Sequence, residues 1–464
     1  MWGIVLTSTE GSSPARPPSR SISRSPIAFL SKPIVYGSLL PGISVLNAAV
    51  GMALPMMMTP HVFGEYSLAV TLFQYGLIFD CGAGQLADRW LPAAFARDQF
   101  EEVDRLSQQL LWVRLYIGTF LLVSAVIALT AFAAIERLPF GYWAGVLSAG
   151  SGILYMVALG PGFVYRALSK RRNYAWAIGT LSLGLVFARP LGLLVGGLTG
   201  SFLALAGWYL AFAVLFHQRM PPRLAAHPSA RQAASAIVLG LPFFATSFIW
   251  AFYLTANRWF ASGLMEAGTF GHFAFSANIY TLLTGAIGGL SAFYYPRVVG
   301  RIARDGAYSS SREIVVDFSK LTFAVGAIVA GGIVLATPLL TLIYPQYLQS
   351  VGTVRVLLAA VPATVLVAWL LPISLSAGRR PWLDGLLIYP AATAILYFAI
   401  RILFRHFGDI GAAAASTVSV LPLVAMLLAQ LRHTHILRTG ALAALMAAAT
   451  TVTGALCILA WMMT

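Results

Sequence analysis

Charged residues are scarce in this 464-residue chain, and acidic residues are scarcer than basic ones. Only 10% of its residues are charged, whereas a soluble domain has about 25%. It has 15 Asp and Glu against 30 Lys and Arg, 59% hydrophobic residues and a mean hydropathy of +0.81. This composition excludes an ordinary soluble domain and indicates a membrane protein. The net charge of +15 is therefore not evidence for a nucleic-acid partner.

The motifs of common enzyme and metal sites are also missing. The two cysteines, Cys81 and Cys457, lie in different apolar stretches, which excludes a disulfide framework or a cysteine metal site. Each lysine follows a serine, so no Walker A Gly-Lys pair exists. HExxH, GxSxG and CxxC are absent from the sequence, and the short gaps between apolar stretches leave no room for a soluble catalytic domain. We predict a transporter without cofactor, metal or catalytic residues.

Thirteen long apolar stretches make up most of the chain. Most have the length of roughly 20 residues that a helix needs to cross a hydrocarbon core about 30 Å thick. A backbone in lipid must satisfy its own hydrogen bonds, so these non-alternating stretches predict helices. The last one could instead be a short hairpin or a peripheral helix. The predicted spans are Ile34–Met58, Glu65–Ala87, Leu110–Ala133, Gly141–Tyr165, Tyr174–Leu198, Ser201–Phe216, Ala236–Ala256, Gly271–Tyr295, Leu321–Ile343, Val354–Ala377, Leu383–Leu403, Ile410–Leu431 and Leu442–Met462.

Positive charge falls mostly in every second gap between these spans. The opposite side of the membrane has only Arg137, Arg258, Arg401 and Arg405, in gaps or at the ends of spans. Because cytoplasmic loops carry the excess of Lys and Arg, the pattern predicts a cytoplasmic N-terminus. Residues 1–31 are rich in Ser, Pro and Arg and predict a disordered cytoplasmic tail. They do not resemble a signal peptide, because the first apolar run follows them and is too long for one.

The first and seventh spans open alike, which indicates an internal repeat. Leu40-Pro41 is followed by FGEYSLA from Phe63, and Leu241-Pro242 by FGHFAFS from Phe270. The alternative is that the similarity between the two spans arose by chance, because a Phe-Gly pair after a short loop is a common way for a helix to begin. Six spans per repeat give both copies the same orientation, and transporters built from such repeats bind substrate between the halves.

This repeat predicts an all-α integral membrane protein with 12–13 transmembrane helices in two pseudo-symmetric six-helix bundles. Residues 32–217 form the first bundle in this prediction, and residues 235–431 form the second. A cytoplasmic linker at 218–234 joins the bundles, and 432–464 supply an extra transmembrane helix.

Ionisable residues inside spans are costly and face a cavity or a partner. Asp80 and Arg114 lie at similar depths in spans two and three, which predicts an ion pair. Asp80 as a proton or sodium coupling site is the alternative. Arg189 lies deep in span five without an acidic residue at its depth, so it is a candidate for binding a pyrophosphate. A structural role beside Pro190 is equally compatible with the sequence.

Other candidates lie near the outer ends or on polar positions of spans. Arg258 and Arg401 either line the outer mouth of a cavity or extend to the membrane interface, as Arg355 is also expected to do. Asn47 is a candidate polar contact in the first span. Gln74, Asn278 and Tyr280 are candidate sugar contacts, with hydrogen bonding between helices as the alternative.

Several short segments, in this order and spacing, resemble one family. They are FGEYSLA from Phe63, DCGAGQ from Asp80, Gly240-Leu241-Pro242 with Asn257-Arg258, Tyr295-Pro296-Arg297, and DIGAAA from Asp409. The chain resembles the lipid-linked oligosaccharide flippases of bacterial envelopes, in the multidrug/oligosaccharidyl-lipid/polysaccharide exporter superfamily. Asn257 departs from the acidic residue that the family often has there. The first span also lacks the cationic residues of lipid II flippases, which argues against a peptidoglycan precursor as substrate.

The resemblance implies a flippase in the bacterial cytoplasmic (inner) membrane. Its substrate would be an undecaprenyl-pyrophosphate-linked oligosaccharide for O-antigen, capsule or exopolysaccharide export, moved by alternating access. Expected partners are this lipid-linked oligosaccharide, membrane lipids, a glycan polymerase and glycosyltransferases. A multidrug/cation antiporter of the same superfamily would need acidic groups in the cavity. A membrane glycan polymerase or ligase would need larger outer loops with acid/base residues.

Overall fold

The computed structural model describes residues 33–95, 97–135, 138–168, 170–219, 228–289, 307–377, 381–433 and 439–463. The predicted N-terminal tail, residues 220–227 of the predicted linker and the Tyr295-Pro296-Arg297 motif lie outside these ranges. Every regular element within them is helical. The prediction of an all-α protein is therefore confirmed.

Fifteen α-helices are numbered here in chain order. They are α1 Pro33–Ala53, α2 Pro60–Ile78, α3 Ala83–Phe95, α4 Phe100–Ala134, α5 Tyr142–Ala158, α6 Gly160–Ala167, α7 Arg171–Leu183, α8 Arg189–Arg219, α9 Ala230–Ser262, α10 Ala267–Gly289, α11 Ala307–Ile343, α12 Val351–Ala359, α13 Val361–Ala377, α14 Pro381–His433 and α15 Thr439–Met463. Two 3₁₀ segments, Leu54–Met57 and Pro345–Ser350, and a π-helical turn at Gly184–Ala188 connect some of them.

Two long helices fold back on themselves at a glycine. In α8, Gly197 has φ 60° and ψ −149°, a conformation that glycine adopts without a steric penalty. The Ser201 hydroxyl then donates to the Arg189 carbonyl at 3.0 Å, although twelve residues of straight helix would separate them by about 18 Å. In α14, Gly408 has φ 59° and brings Gly411 against the Leu403 carbonyl. The chain therefore reverses direction at each glycine, where the sequence predicts the end of one span and the start of the next.

The described helices follow the order of the predicted thirteen spans. By length and composition, six of the described helices can cross a membrane, and nine can if each of three bent pairs counts as one. Two of the six are long stretches that reverse direction at a glycine, and each corresponds to two predicted spans: Arg172–Gln218, which runs from α7 through the π-helical turn into α8, and Leu386–Arg432 within α14. Helices α1 and α10, with 21 and 23 residues, occupy the first and eighth positions of the predicted pattern.

Several spans are bent where the sequence predicts continuous helices. The second span breaks between Ile78 and Ala83, where Cys81 and Gly82 have φ values of 47° and 79°. The seventh bends by 47° at Pro242, which has no N–H for the helical hydrogen bond. The tenth bends by 40° at Ala360, between α12 and α13. At these breaks the backbone leaves the helical path, so nearby side chains point in directions that a straight helix would not allow.

The helices pack as two bundles. In the first, α5 packs against α2, α4 and α8, and in the second, α14 packs against α9, α12 and α13. Helix α2 of the first bundle also packs along α10 of the second. The core is built mainly from aromatic and aliphatic side chains, including Phe63, Phe202, Phe273 and Phe275. This arrangement confirms the predicted two-bundle architecture.

The last apolar segment forms the helix α15, which packs on α11 of the second bundle. Arg355 of α12 ties it there: its guanidinium donates to the Met463 carbonyl, the Ile333 carbonyl (3.2 Å) and the Thr337 hydroxyl (2.7 Å). Carbonyl groups at a helix end have no intrahelical donor, so Arg355 satisfies the end of α15. The prediction that Arg355 extends to the membrane interface is wrong, because only 5% of the residue is exposed.

Candidate functional site

A cavity of about 350 Å³ lies between the two bundles, and we call it the central cavity. Helices α1, α2 and α8 line it from the first bundle, and α9 and α10 from the second. Its polar lining residues are Asn47, Tyr66, Ser67, Gln74, Arg189, Arg258, Asn278 and Thr281. Five of these eight are predicted site residues: Asn47, Gln74, Arg189, Arg258 and Asn278.

Arg189 follows a π-helical turn, and this turn has a local cause. Pro190 has no N–H, and its ring clashes with the carbonyl that a regular helix would place four residues earlier. The Arg189 N–H donates to the Gly184 carbonyl, five residues back, as in a π-helix. Single π turns often occur at functional sites. The Arg189 Nε is buried and has no hydrogen-bond partner among the described residues, so it remains a free donor.

Arg258 reaches the same cavity from the second bundle. Its Nη2 donates to the Ala277 carbonyl at 3.2 Å and to the Thr281 hydroxyl at 2.9 Å, which fixes it against α10. Its Nε is buried without a partner in the described part of the chain. The alternative that Arg258 extends to the membrane interface is wrong, because the residue is 2% exposed. Two guanidinium groups from different bundles therefore share one cavity.

Neutral polar groups complete the lining. The Asn278 amide donates weakly to the Gly51 carbonyl at 3.5 Å, across the two bundles. The Asn47 Oδ1 is buried and accepts no hydrogen bond from any described residue. Tyr66, which the sequence analysis missed, also lines the cavity, and the charges of Arg189 and Arg258 both act on its hydroxyl. Its position in the FGEYSLA segment, eight residues before Gln74, was the available signal.

The central cavity is cationic. None of the described residues that line it is Asp or Glu, and two are arginines. Arginine donates paired hydrogen bonds to phosphate and carboxylate oxygens and stays charged when buried. The cavity is therefore suited chemically to an anionic ligand rich in acceptors, and it disfavours a cation.

Two predicted site residues lie away from this cavity. The Tyr280 hydroxyl is 2.7 Å from the Thr364 hydroxyl, so it joins α10 to α13 instead of facing the cavity. Arg401 is exposed, and its guanidinium lies 5.3 Å from the ring centre of Tyr397. Both predictions are based on the position of the residue along its span. That position does not determine the direction in which the side chain points around the helix axis.

Asp80 and Arg114 form a buried ion pair in the break of the second span. The Asp80 carboxylate also accepts the N–H groups of Gly82 and Gly84, both at 2.9 Å, and so caps the start of α3. Arg114 is further held by the Phe163 ring, whose centre lies 4.0 Å from its guanidinium carbon. Asp80 thus has three donors, and the predicted ion pair with Arg114 is present.

The bundles touch at both ends of the central cavity. We call the end that the charge pattern assigns to the outside the outer end. There, three side chains of the second bundle donate to carbonyl groups in the last turn of α1 and just after it, and we name these three side chains the outer latch. The bonds run from Tyr344 to Met52 (2.6 Å), from Gln346 to Pro55 and Met58 (2.8 and 3.1 Å), and from Tyr347 to Met58 (3.1 Å).

At the opposite, inner end, the bundles meet through backbone. Gly82 and Gly240 lie so close that a Cβ on either would collide with the other backbone segment. The Gln109 side chain also donates to the Gln232 carbonyl at 2.8 Å. The first bundle therefore contacts the second at two places, one towards each end of the central cavity.

No protein-family model matches the sequence, and no curated protein matches it significantly. The fold is similar to those of a solved lipid II flippase and of solved MATE transporters. The lipid II flippase MurJ in an inward closed conformation is similar with a TM-score of 0.63, at 11% identity over 93% of this chain and 97% of that chain. The eukaryotic MATE transporter AtDTX14 also has a TM-score of 0.63, at 13% identity over 93% and 98%.

A multidrug resistance MATE family transporter in an inward-facing conformation gives a TM-score of 0.55, at 15% identity over 84% of this chain and 98% of that chain. At these identities the similarity establishes the fold alone. The choice of substrate therefore depends on the residues of the cavity.

Proposed function

We propose that this protein is a flippase for an anionic lipid-linked oligosaccharide. The substrate is an oligosaccharide on undecaprenyl pyrophosphate, which moves from the inner to the outer leaflet of the bacterial cytoplasmic membrane. The purpose is O-antigen, capsule or exopolysaccharide export, and the N-terminus is cytoplasmic. The fold of MOP-superfamily transporters supports alternating access between the two bundles.

One observation carries the proposal. Arg189 of the first bundle and Arg258 of the second line one cavity in which the described lining has no carboxylate. Both Nε donors are buried without partners among the described residues. A pyrophosphate supplies acceptor oxygens and negative charge to both, which would compensate the cost of burying them. Asn47, Gln74 and Asn278 add neutral hydrogen-bonding groups.

The competing transporter function is multidrug/cation antiport. Two of the similar structures described above are MATE transporters, but a cationic drug in the central cavity would meet two guanidinium groups and no carboxylate of the described lining. Like charges in a water-poor cavity repel strongly. The cavity chemistry therefore favours the anionic substrate.

A reconstituted flipping assay tests the proposal. The purified protein is placed in proteoliposomes with a fluorescent polyprenyl-pyrophosphate-linked oligosaccharide, and its transfer is followed by quenching from one side. Arg189→Gln and Arg258→Gln should each reduce the rate by about tenfold or more, because each removes a charge-assisted contact. Arg401→Gln, at an exposed arginine outside the cavity, is the matched control and should keep the rate.

Two results would contradict the proposal. One is full flipping by both cavity variants at normal protein level. The other is proton-driven export of ethidium by the wild-type protein without any transfer of the lipid-linked glycan, which would favour the antiporter.

A further inference from the structure

A second cavity, of about 530 Å³, lies between the bundles towards the inner end, and we call it the inner cavity. Asp80, Gln85 and Arg166 line it from the first bundle, and Ser247 and Trp250 of α9 from the second. Its volume lies in the range of small-molecule sites in proteins.

An aromatic cluster lies along the second span at the level where the inner cavity and the central cavity approach each other. Phe79 of the second span lies 4.5 Å from Phe244 and 5.0 Å from Phe248, measured between ring centres. Tyr75 joins the cluster, with its ring centre 5.6 Å from that of Phe248 and its hydroxyl 2.6 Å from the Thr255 hydroxyl. Along α2, Gln74 lines the central cavity and Leu77 lines the inner one, so only about 4.5 Å of helix separates them.

The inner cavity differs from the central cavity in charge. The carboxylate of Asp80 is neutralised by Arg114. The guanidinium of Arg166 is neutralised by Asp88, with an Nε–Oδ1 distance of 3.1 Å. Each ionised group therefore has its counter-charge, and the inner cavity does not select an anion.

One buried acceptor of the inner cavity lacks a donor among the described residues, which favours a ligand that donates. The Gln85 Oε1 is buried and accepts no hydrogen bond from the part of the chain that the structure describes. A phosphate dianion has acceptors only, whereas a sugar hydroxyl both donates and accepts. Ser247 adds a hydroxyl to the lining, and the Trp250 indole adds an aromatic surface against which the apolar face of a sugar ring can pack.

We propose that the inner cavity binds an uncharged sugar unit of the lipid-linked substrate while its pyrophosphate occupies the central cavity. This inference rests on the proposed function and adds a glycan subsite to it. The second span runs from the outer to the inner end, so the sugar lies on the inner side of the pyrophosphate. That is the order expected for a glycan that enters from the cytoplasmic side.

Binding of short analogues to the full-length protein in nanodiscs tests the inference. The probes are farnesyl diphosphate and its counterparts bearing glucose, galactose or N-acetylglucosamine on the terminal phosphate. At least one sugar-bearing probe should bind about tenfold more tightly than farnesyl diphosphate, as expected for one or two additional buried hydrogen bonds. Gln85→Leu should remove this gain and leave the affinity for farnesyl diphosphate unchanged.

Two further variants complete the experiment, one as a control and one as a second test of the inner cavity. Gln99→Leu makes the same change at an exposed position and should keep the gain. Ser247→Ala tests the cavity from the other bundle, so the inference stays testable if Gln85→Leu does not fold. It should lower the affinity for the sugar-bearing probe alone.

The inference is overturned if no sugar-bearing probe gains affinity, or if both cavity variants retain the gain. Either result, with tight binding of farnesyl diphosphate that depends on Arg189, leaves the proposed function intact. Absence of farnesyl diphosphate binding, or binding that is insensitive to Arg189→Gln, contradicts the proposed function itself.

Discussion

Gly64 and Gly271, the glycines of the two Phe-Gly pairs of the repeat, lie against each other where the bundles meet at the outer end. A Cβ on Gly64 would lie 3.3 Å from the Cα of Gly271. A Cβ on Gly271 would collide with the Pro60 carbonyl, which is backbone and cannot rotate away. The two copies of the Phe-Gly motif thus contact each other across the interface between the bundles.

Gly271→Ala should therefore open the outer end. The added methyl group requires the bundles to separate, and overpacking of this kind costs about 1–3 kcal/mol. The measurement is the distance between spin labels at Ile135→Cys and Leu342→Cys, two exposed positions near the outer end of each bundle, in a Cys81→Ser, Cys457→Ser background. The distance distribution should shift to longer values.

Gly268→Ala is the control for this variant, because nothing lies within 4 Å of a Cβ there. It should leave the distances unchanged. Identical distributions for Gly271→Ala and Gly268→Ala would show that the glycine contact does not limit the approach of the bundles.

Removal of the outer latch should shift the same equilibrium without adding volume. Tyr344→Phe, Gln346→Met and Tyr347→Phe together delete four hydrogen bonds between the bundles. At about 0.5–1.5 kcal/mol each, their loss should increase the outward-open population by more than about tenfold. The same label pair measures it, and Leu348→Ala, at an exposed position on the same segment, should change nothing.

The Asp80–Arg114 pair should prove to be structural. Removal of one partner of a buried ion pair costs about 3–5 kcal/mol, so Asp80→Asn and Arg114→Gln should each lower the thermal stability in detergent. The double variant should lose less than the sum of the two, because no uncompensated charge remains. If Asp80→Asn abolishes transport at unchanged thermal stability, Asp80 is a coupling residue instead.

The π turn before Arg189 should position its guanidinium. Pro190→Ala restores an N–H and permits a regular helix, which would rotate Arg189 relative to the cavity. The affinity for farnesyl diphosphate should fall by about tenfold without loss of thermal stability, as expected when a charge-assisted contact is lost. Leu191→Ala changes the adjacent exposed residue and serves as the control. Unchanged affinity in Pro190→Ala would show that the π turn has no role in placing the side chain.

The sequence predicts well how deep a residue lies in the membrane, and it predicts poorly which way the side chain points from the helix. Hydropathy and charge placed Arg189, Arg258, Asn47, Gln74 and Asn278 at depths where the structure does bring them to one cavity. Their role in binding remains a proposal. The same reasoning selected Tyr280, whereas its neighbour Thr281 faces the cavity, because one residue corresponds to about 100° around the helix axis.

The bends were not predictable from hydropathy for a related reason. Apolar composition continues through Cys81 and Gly82, yet the Asp80 carboxylate captures two backbone N–H groups there and ends the helix. Such a break depends on one local hydrogen-bond arrangement. The inner cavity that it helps to line was missed for the same reason.

In the proposed transport cycle, Arg189 and Arg258 would also make the protein sensitive to the membrane potential, because no described residue that lines the central cavity is acidic. A charge that crosses the full field gains or loses about 2.3 kcal/mol per 100 mV. With a pyrophosphate bound, the cavity carries little net charge, whereas the unloaded cavity carries the charge of Arg189 and Arg258. A potential that is negative inside would therefore act mainly on the return of the empty carrier. It would draw the two arginines towards the cytoplasm and so favour the return of the empty protein to the state that is open inwards. The step with substrate bound moves little net charge, so the potential would affect it little.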